Sequence, residues 1–226
     1  MAWVDLQHTR RQIRRAGQVL RALDPNAPLE DLDETRVLDN WRAAHAEPLN
    51  SAQMGLRSRL DTIGRRGDVS QRLKRRRAIL TKLRREPTMQ LDTMEDIAGC
   101  RVVLEGGLQD VYELARQWRR TARGRVRRER DYIADPRATG YRALHLVVLY
   151  GSFKVEVQLR TRAQHAWAVL VERISARTGL DLKNGAGPAS VVDGLRDLAN
   201  QIAAVDSAGV ILGPEVFRQL ERILLE

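Results

Sequence analysis

Gly140-Tyr141-Arg142-Ala143-Leu144-His145-Leu146-Val147-Val148-Leu149-Tyr150 runs through Gly151-Ser152 into Phe153-Lys154-Val155-Glu156-Val157-Gln158-Leu159-Arg160-Thr161. Both halves have strand composition and the Gly-Ser pair between them is a turn signal, so the stretch predicts a β-hairpin. Its second half alternates strictly. Val155, Val157 and Leu159 point one way, Lys154, Glu156, Gln158 and Arg160 the other. A solvated sheet face produces the same pattern. Against that reading stands the company the face keeps: one carboxylate between two cations, beside a Gly-Tyr corner, in an arginine-rich chain.

Outward from the hairpin, helical periodicity predicts helices over 3–23, 32–46 and, beyond an interruption at Pro48, through Ala52, Leu56, Leu60 and Ile63. An extended piece at 68–73 leads to a helix ending near Arg85, before Pro87. On it Lys74, Ala78 and Lys82 recur at one-turn spacing, which puts two ammonium groups on one face. A strand at 100–104, a helix over 108–121 and a strand over 126–133 precede the hairpin. A helix over 161–178 follows it, then a joint at 184–188 and helices over 191–205 and 214–225, the last with its stripe of Phe217, Leu220, Ile223 and Leu224. The pattern predicts an α+β fold: a small mixed β-sheet of about five strands wrapped by N- and C-terminal helices. Three segments are expected within one structural domain: helices over 1–66, a core over 67–180 and capping helices over 181–226.

The chain's 226 residues suffice for one large domain with a substantial core. It contains no apolar run of membrane-spanning length, and its first residues lack a secretory layout. A single cysteine, Cys100, excludes an internal disulfide framework and fits a reducing, cytoplasmic setting. His8, His45, His145 and His165 are not spaced as zinc ligands. The net charge of +10 implies a polyanionic partner, and its distribution sharpens the point. Cations crowd 65–85, where Asp68 is the single acid, and again 119–130, where Arg119, Arg120, Arg123, Arg125, Arg127, Arg128 and Arg130 lie.

Two acids fall where metal ligands belong. Asp96 precedes an apolar strand and Glu156 lies on the polar face of the hairpin. Mg²⁺ is commonly held by one or two carboxylates while substrate phosphates and waters complete its shell. Such acids among Arg and Lys suit phosphoryl-group chemistry. By spacing alone Asp96 could equally cap or pair with Arg101.

Five ordered blocks resemble the synthetase domain of RelA/SpoT alarmone synthetases: Arg72-Leu73-Lys74, Glu95-Asp96-Ile97-Ala98-Gly99-Cys100-Arg101, Asp131-Tyr132-Ile133-Ala134-Asp135-Pro136-Arg137, Gly140-Tyr141-Arg142-Ala143-Leu144-His145 and Val155-Glu156-Val157-Gln158-Leu159-Arg160-Thr161. The resemblance spans 72–173. It implies transfer of the β,γ-pyrophosphate of ATP to a ribose 3′-hydroxyl. It further implies that Arg72 and Arg101 sandwich the adenine and that Lys74 and Lys82 hold ATP phosphates. Asp96 and Glu156 are implied to bind Mg²⁺, with Glu156 also taking the 3′-hydroxyl proton. Tyr141 is implied to stack on the acceptor base, and His145, Gln158 and Arg160 to position acceptor or phosphate.

The chain departs from the family at Ala78, where Ser is usual, and at Pro136-Arg137, where Pro-Lys is usual. The His-Asp dipeptide of the family's hydrolase domain is absent, so a synthetase without hydrolase activity is expected. The stretch from Asn40 to Asn50, with Gln164-His165-Ala166-Trp167-Ala168, resembles the toxin branch, whose members pyrophosphorylate the 3′-CCA end of tRNA and are neutralised by an antitoxin protein. Three readings follow: a tRNA acceptor, toward which the arginine clusters tip the choice; GDP or GTP as acceptor, yielding guanosine alarmones; or a catalytically silent RNA- or partner-binding module.

Overall fold

The computed structural model describes residues 3–25, 27–120, 124–208 and 215. Its helices are α1 (Arg10–Ala22), α2 (Asp33–Ala43), α3 (Ala46–Thr62), α4 (Arg76–Arg85), α5 (Leu108–Arg119), α6 (Arg162–Thr178) and α7 (Ala189–Ser207). Its strands are β1 (Gly67–Leu73), β2 (Ala98–Leu104), β3 (Arg125–Asp131), β4 (Leu144–Tyr150) and β5 (Phe153–Thr161). They form one mixed sheet in the order β1-β2-β5-β4-β3, antiparallel except for the β2–β5 pair. The α+β class and the five strands agree with the sequence pattern. The helix expected over 214–225 and its apolar stripe lie outside the described residues.

β4 and β5 form the expected hairpin, with Tyr150 opposite Phe153 and Gly151 at φ 58° in the turn. A left-handed turn position of that kind suits glycine, which carries no Cβ to clash. The alternation of β5 holds across the whole sheet. Ala98, Cys100, Val102, Leu104, Leu144, Leu146, Val148, Val155, Val157 and Leu159 face a core built with α3 and α5. Leu49, Ala52, Leu56 and Leu60 supply the α3 side; Val111, Leu114 and Trp118 supply the α5 side. Removing a side chain of this kind from water contributes about 1.5–3 kcal/mol. The helices on this side leave the other sheet face open.

Two smaller apolar clusters flank the sheet. α1, α2 and α4 pack Ile13, Leu20, Leu38, Trp41, Ile79 and Leu83 around Leu91 and Met94. α6 and α7 pack Trp167, Leu170, Leu195 and Ile202 around Tyr141 and Ala143.

Several boundaries differ from the sequence expectation. α1 starts at Arg10 because Thr9 caps it: its hydroxyl accepts from the Gln12 N–H and the Gln12 side chain accepts from the Thr9 N–H. Pro48 lies in the first turn of α3, where an N–H has no intrahelical partner to lose, so it does not interrupt the helix. Lys74 lies before α4 and not on it. Its N–H donates to the Ile97 carbonyl at 2.7 Å, so the chain stays extended until Arg75. The shared helical face of Lys74 and Lys82 is therefore corrected.

Candidate active site on the open sheet face

Pairing across the sheet fixes which side chains share the open face. Arg72 lies opposite Gly99 and Gly99 opposite Glu156; Arg101 lies opposite Gln158, and Gln158 opposite His145. On the far strands His145 lies opposite Arg130, and Val147 opposite Arg128. With Arg160 two residues past Gln158, one surface carries residues from all five strands. Gly99 places no side chain beside Glu156.

A cleft of about 700 Å³ opens over this surface. Arg72, Lys74, Lys82, Asp96, Tyr141, His145, Glu156, Gln158 and Arg160 all line it. Arg101 is set behind them, half-buried on the same face, with Arg72 and Arg160 among the charges acting on it.

Lys74 and Lys82 converge on Asp96 from different elements. Lys74 Nζ is 2.9 Å from Asp96 Oδ2, and Lys82 Nζ is 3.0 Å from Oδ1. The turn holding Lys74 is fixed at both ends, since Arg42 of α2 donates to the Lys74 carbonyl at 2.8 Å. Burial pushes the Asp96 carboxyl up, but the two ammonium groups outweigh it and hold the group below its usual value. Asp96 is therefore ionised at neutral pH.

Glu156 is surrounded by donors. His145 Nδ1 lies 3.1 Å from Oε1, and Gln158 Nε2 donates to Oε2 at 2.7 Å. Burial pushes the carboxyl up; these hydrogen bonds and the charge of Lys82 reverse that and leave it below the usual carboxylate range. His145 is buried, and both of its ring nitrogens are engaged within the protein, Nε2 with the Tyr141 hydroxyl at 2.7 Å. The Tyr141 ring is 7% exposed, edge-on to Tyr132 at 5.8 Å, with the Arg137 guanidinium 5.6 Å from its centre. The Arg160 guanidinium is closer still, at 5.1 Å, so a base stacking on Tyr141 would have to displace a neighbour.

The cleft also gathers residues to which the sequence motifs gave no role. Glu95 receives Arg130 Nη2 at 2.7 Å and Arg128 Nη1 at 3.3 Å, which ties the loop before β2 to the far edge of the sheet. Arg137 stands 4.6 Å above the Tyr132 ring. Period-two spacing of Arg128 and Arg130 was a signal that could have placed them on this face. Lys183, from the short 3₁₀ turn Leu182–Asn184, also lines the cleft, and no sequence pattern pointed to it. His45 and His165, in the segments resembling the toxin branch, lie away from the lining. His45 is fully buried against Trp41 and Phe153, with Nδ1 2.7 Å from the Trp41 carbonyl.

The two carboxylates suit an Mg²⁺ ion that phosphates help to hold. Among the described residues no group of three His, Cys, Asp or Glu side chains forms a protein-only cage. A pair of acids on one cation-lined cleft matches the donor set expected for a substrate-borne ion.

The family model described as the region found in RelA / SpoT proteins matches residues 71–175. GTP pyrophosphokinase YjbM of Bacillus subtilis (strain 168) is 36% identical over 112 residues, covering 45% of this chain and 53% of that protein. The chain spans about half the length, or less, of the curated relatives it matches. Small alarmone synthetase 1 from Bacillus subtilis superposes with a TM-score of 0.59 at 28% identity, over 75% of this chain and 94% of that one. The same synthetase bound to its product pppGpp gives 0.65 at 24% identity, over 75% and 93%. The fold is that of the small alarmone synthetases, and over residues 71–175 this chain carries the region found in RelA/SpoT proteins.

Proposed function

We propose that this chain is a RelA/SpoT-type pyrophosphokinase that moves the β,γ-pyrophosphate of ATP to the ribose 3′-hydroxyl of GDP or GTP. The observation that carries the proposal is convergence: the cations and acids from separate sequence blocks line one cleft, over a face to which every strand contributes. In the reaction the acceptor 3′-oxygen bonds to the β-phosphorus of ATP, the bond between that phosphorus and the oxygen bridging to the α-phosphate breaks, and AMP leaves. In this reading Glu156, held by two donors, takes the 3′-hydroxyl proton. In the same reading Lys74 and Lys82 hold the donor phosphates and Arg72 stacks on the adenine with Arg101; the first three line the cleft. Asp96 and Glu156 would hold Mg²⁺, which when bound neutralises charge on the transferred phosphates.

Relatives named as GTP pyrophosphokinases support a guanine nucleotide as acceptor and give no support to tRNA or to an antitoxin partner. The preference drawn from the arginine clusters therefore gives way to its alternative. Incubation with γ-³²P-ATP and Mg²⁺, offering GDP, GTP or deacylated tRNA in parallel, tests this directly. Label should appear on the guanine nucleotide. Label on tRNA alone would replace the acceptor, and label on none of them would remove the reaction.

A further inference from the structure

Five polar side chains close a ring at the floor of the cleft, and the chemistry of its members fixes the direction of every hydrogen bond in it. Arg160 is 5% exposed, and a guanidinium can only donate. Its Nη2 carries two hydrogens and has two partners: the Tyr141 hydroxyl oxygen at 2.6 Å and Gln158 Oε1 at 2.9 Å. With its oxygen turned to Arg160, the Gln158 amide presents its NH₂ to Glu156 Oε2 at 2.7 Å. Tyr141, having accepted from Arg160, has one hydrogen to give, and His145 Nε2 lies 2.7 Å away. Nε2 then accepts, so the ring proton of neutral His145 sits on Nδ1, aimed at Glu156 Oε1 at 3.1 Å. Two arms thus leave Arg160, one through Gln158 and one through Tyr141 and His145, and both end on the same carboxylate. The other neutral tautomer would turn a bare Nδ1 lone pair toward the Glu156 carboxylate, which can only accept.

We infer that His145 is a positioning residue that acts through Glu156. Its Nδ1–H fixes one carboxylate oxygen, and its own orientation is set by Tyr141 and Arg160. Both nitrogens are bonded inside the protein. The ring also stands edge-on between two tyrosines, 5.2 Å from Tyr132 and 5.7 Å from Tyr141, so it has little freedom to turn outward. Buried hydrogen bonds polarise one another and hold their members more firmly than exposed pairs do; of the Arg160 donors, Nη2 is satisfied within the ring and Nε has no partner among the described residues. The consequence rests on the proposed reaction: the base that receives the 3′-hydroxyl proton is aimed by a chain of donors that begins 19 residues from Tyr141, at Arg160.

The test uses two substitutions that split the imidazole. His145→Asn places an amide N–H near the position of Nδ1 and keeps the bond to Glu156; His145→Gln places its amide near Nε2, where the oxygen accepts from Tyr141, and leaves Glu156 Oε1 without that donor. His145→Gln should lower kcat at least tenfold, on the order expected when a general base is misplaced, with KM for acceptor and for ATP within about twofold of wild type. His145→Asn should retain most of kcat. Any other ranking of the two, or a loss confined to the acceptor KM, overturns the assignment. A second measurement needs no turnover: ¹⁵N spectra of histidine-labelled wild-type protein should show His145 as the Nδ1–H tautomer, and an Nε2–H tautomer would refute it. Should wild type transfer no label to a guanine nucleotide, the proposed reaction fails while the tautomer still decides the network.

Discussion

Asp96 shows how a single residue can be held ready by its neighbours. Its two oxygens each face an ammonium group, so the cleft without substrate is already neutralised at the point where phosphates would arrive. Asp96→Asn removes that carboxylate and leaves Lys74 and Lys82 without an anion. Nucleotide binding in the absence of Mg²⁺ should therefore tighten, by fluorescent ATP-analogue titration in EDTA, while transfer with Mg²⁺ falls by about 100-fold or more. A parallel fall in both would mean that Asp96 serves the fold and not the chemistry. Glu156→Gln should also abolish transfer, yet leave ATP binding near wild type, because Lys74 and Lys82 keep their partner. The identities of these residues were legible in the sequence, whereas the geometry of Lys74 was not. A lysine one turn before Ala78 reads as helical until the hydrogen bond from its backbone to Ile97, remote in sequence, is known.

Among the elements, α7 has the clearest task. It packs on the corner that carries Tyr141: Arg142 donates to the Ala199 carbonyl at 3.2 Å and to Asn200 Oδ1 at 2.9 Å, and Trp167 Nε1 donates to the Leu195 carbonyl at 3.0 Å. Gly140 makes this approach possible. It sits at φ 86°, and a Cβ there would come within 2.6 Å of Ala199 Cβ and 3.1 Å of Arg196 Cα. Gly140→Ala should cost about 1–3 kcal/mol, lowering Tm by roughly 3–10 °C, and should raise the acceptor KM more than the ATP KM. Adding Ala199→Gly should recover part of both. The far end of α7 is tied by Thr161, whose hydroxyl donates to Asp206 Oδ2 at 2.7 Å while also capping α6. Burial raises the Asp206 carboxyl above its ordinary value, against the pull of the Thr161 hydrogen bond. An acid raised in the folded state favours folding while protonated, so this contribution is present at low pH and fades as pH rises through the raised value. Asp206→Asn should flatten that part of the stability–pH curve in thermal melts. The hairpin was readable because β5 alternates without a break, with one face packed and the other polar. The start of α1 was also encoded, in the Thr-x-x-Gln of Thr9 and Gln12, but apolar Trp3 and Leu6 extend the helical period past the cap and conceal it. The docking of α7 on Gly140 had no local signal, since it depends on a glycine and an alanine 59 positions apart meeting in space.

Over the whole molecule, the excess of arginine divides into cations that hold the fold and cations that face the cleft. Arg65 pairs with Asp110 at 2.7 Å, Arg76 with Asp39, Arg119 with Glu129, and Arg84 donates to the Leu23 carbonyl at 3.1 Å. These residues belong to the runs that suggested a long polyanion, yet they are spread over several elements and committed to internal partners. The sequence showed how many cations there are but not which acids, remote along the chain, they would meet. Other cations, Arg72, Lys74, Lys82, Arg127, Arg137 and Lys183 among them, face the one cleft, where the phosphates of nucleotides can reach them. Salt dependence separates the two acceptors on this basis. An RNA held by six to ten phosphate contacts loses roughly 10³–10⁵ in affinity between about 50 and 200 mM salt, because each contact releases a counterion. A guanine nucleotide in a semi-enclosed cleft makes fewer such contacts, so its KM should rise by less than about tenfold over the same range. Steady-state transfer measured at several salt concentrations decides between them. A log–log slope as steep as that of an RNA ligand would mean that the paired arginines release their acids to bind phosphate, and that the acceptor extends well beyond the cleft.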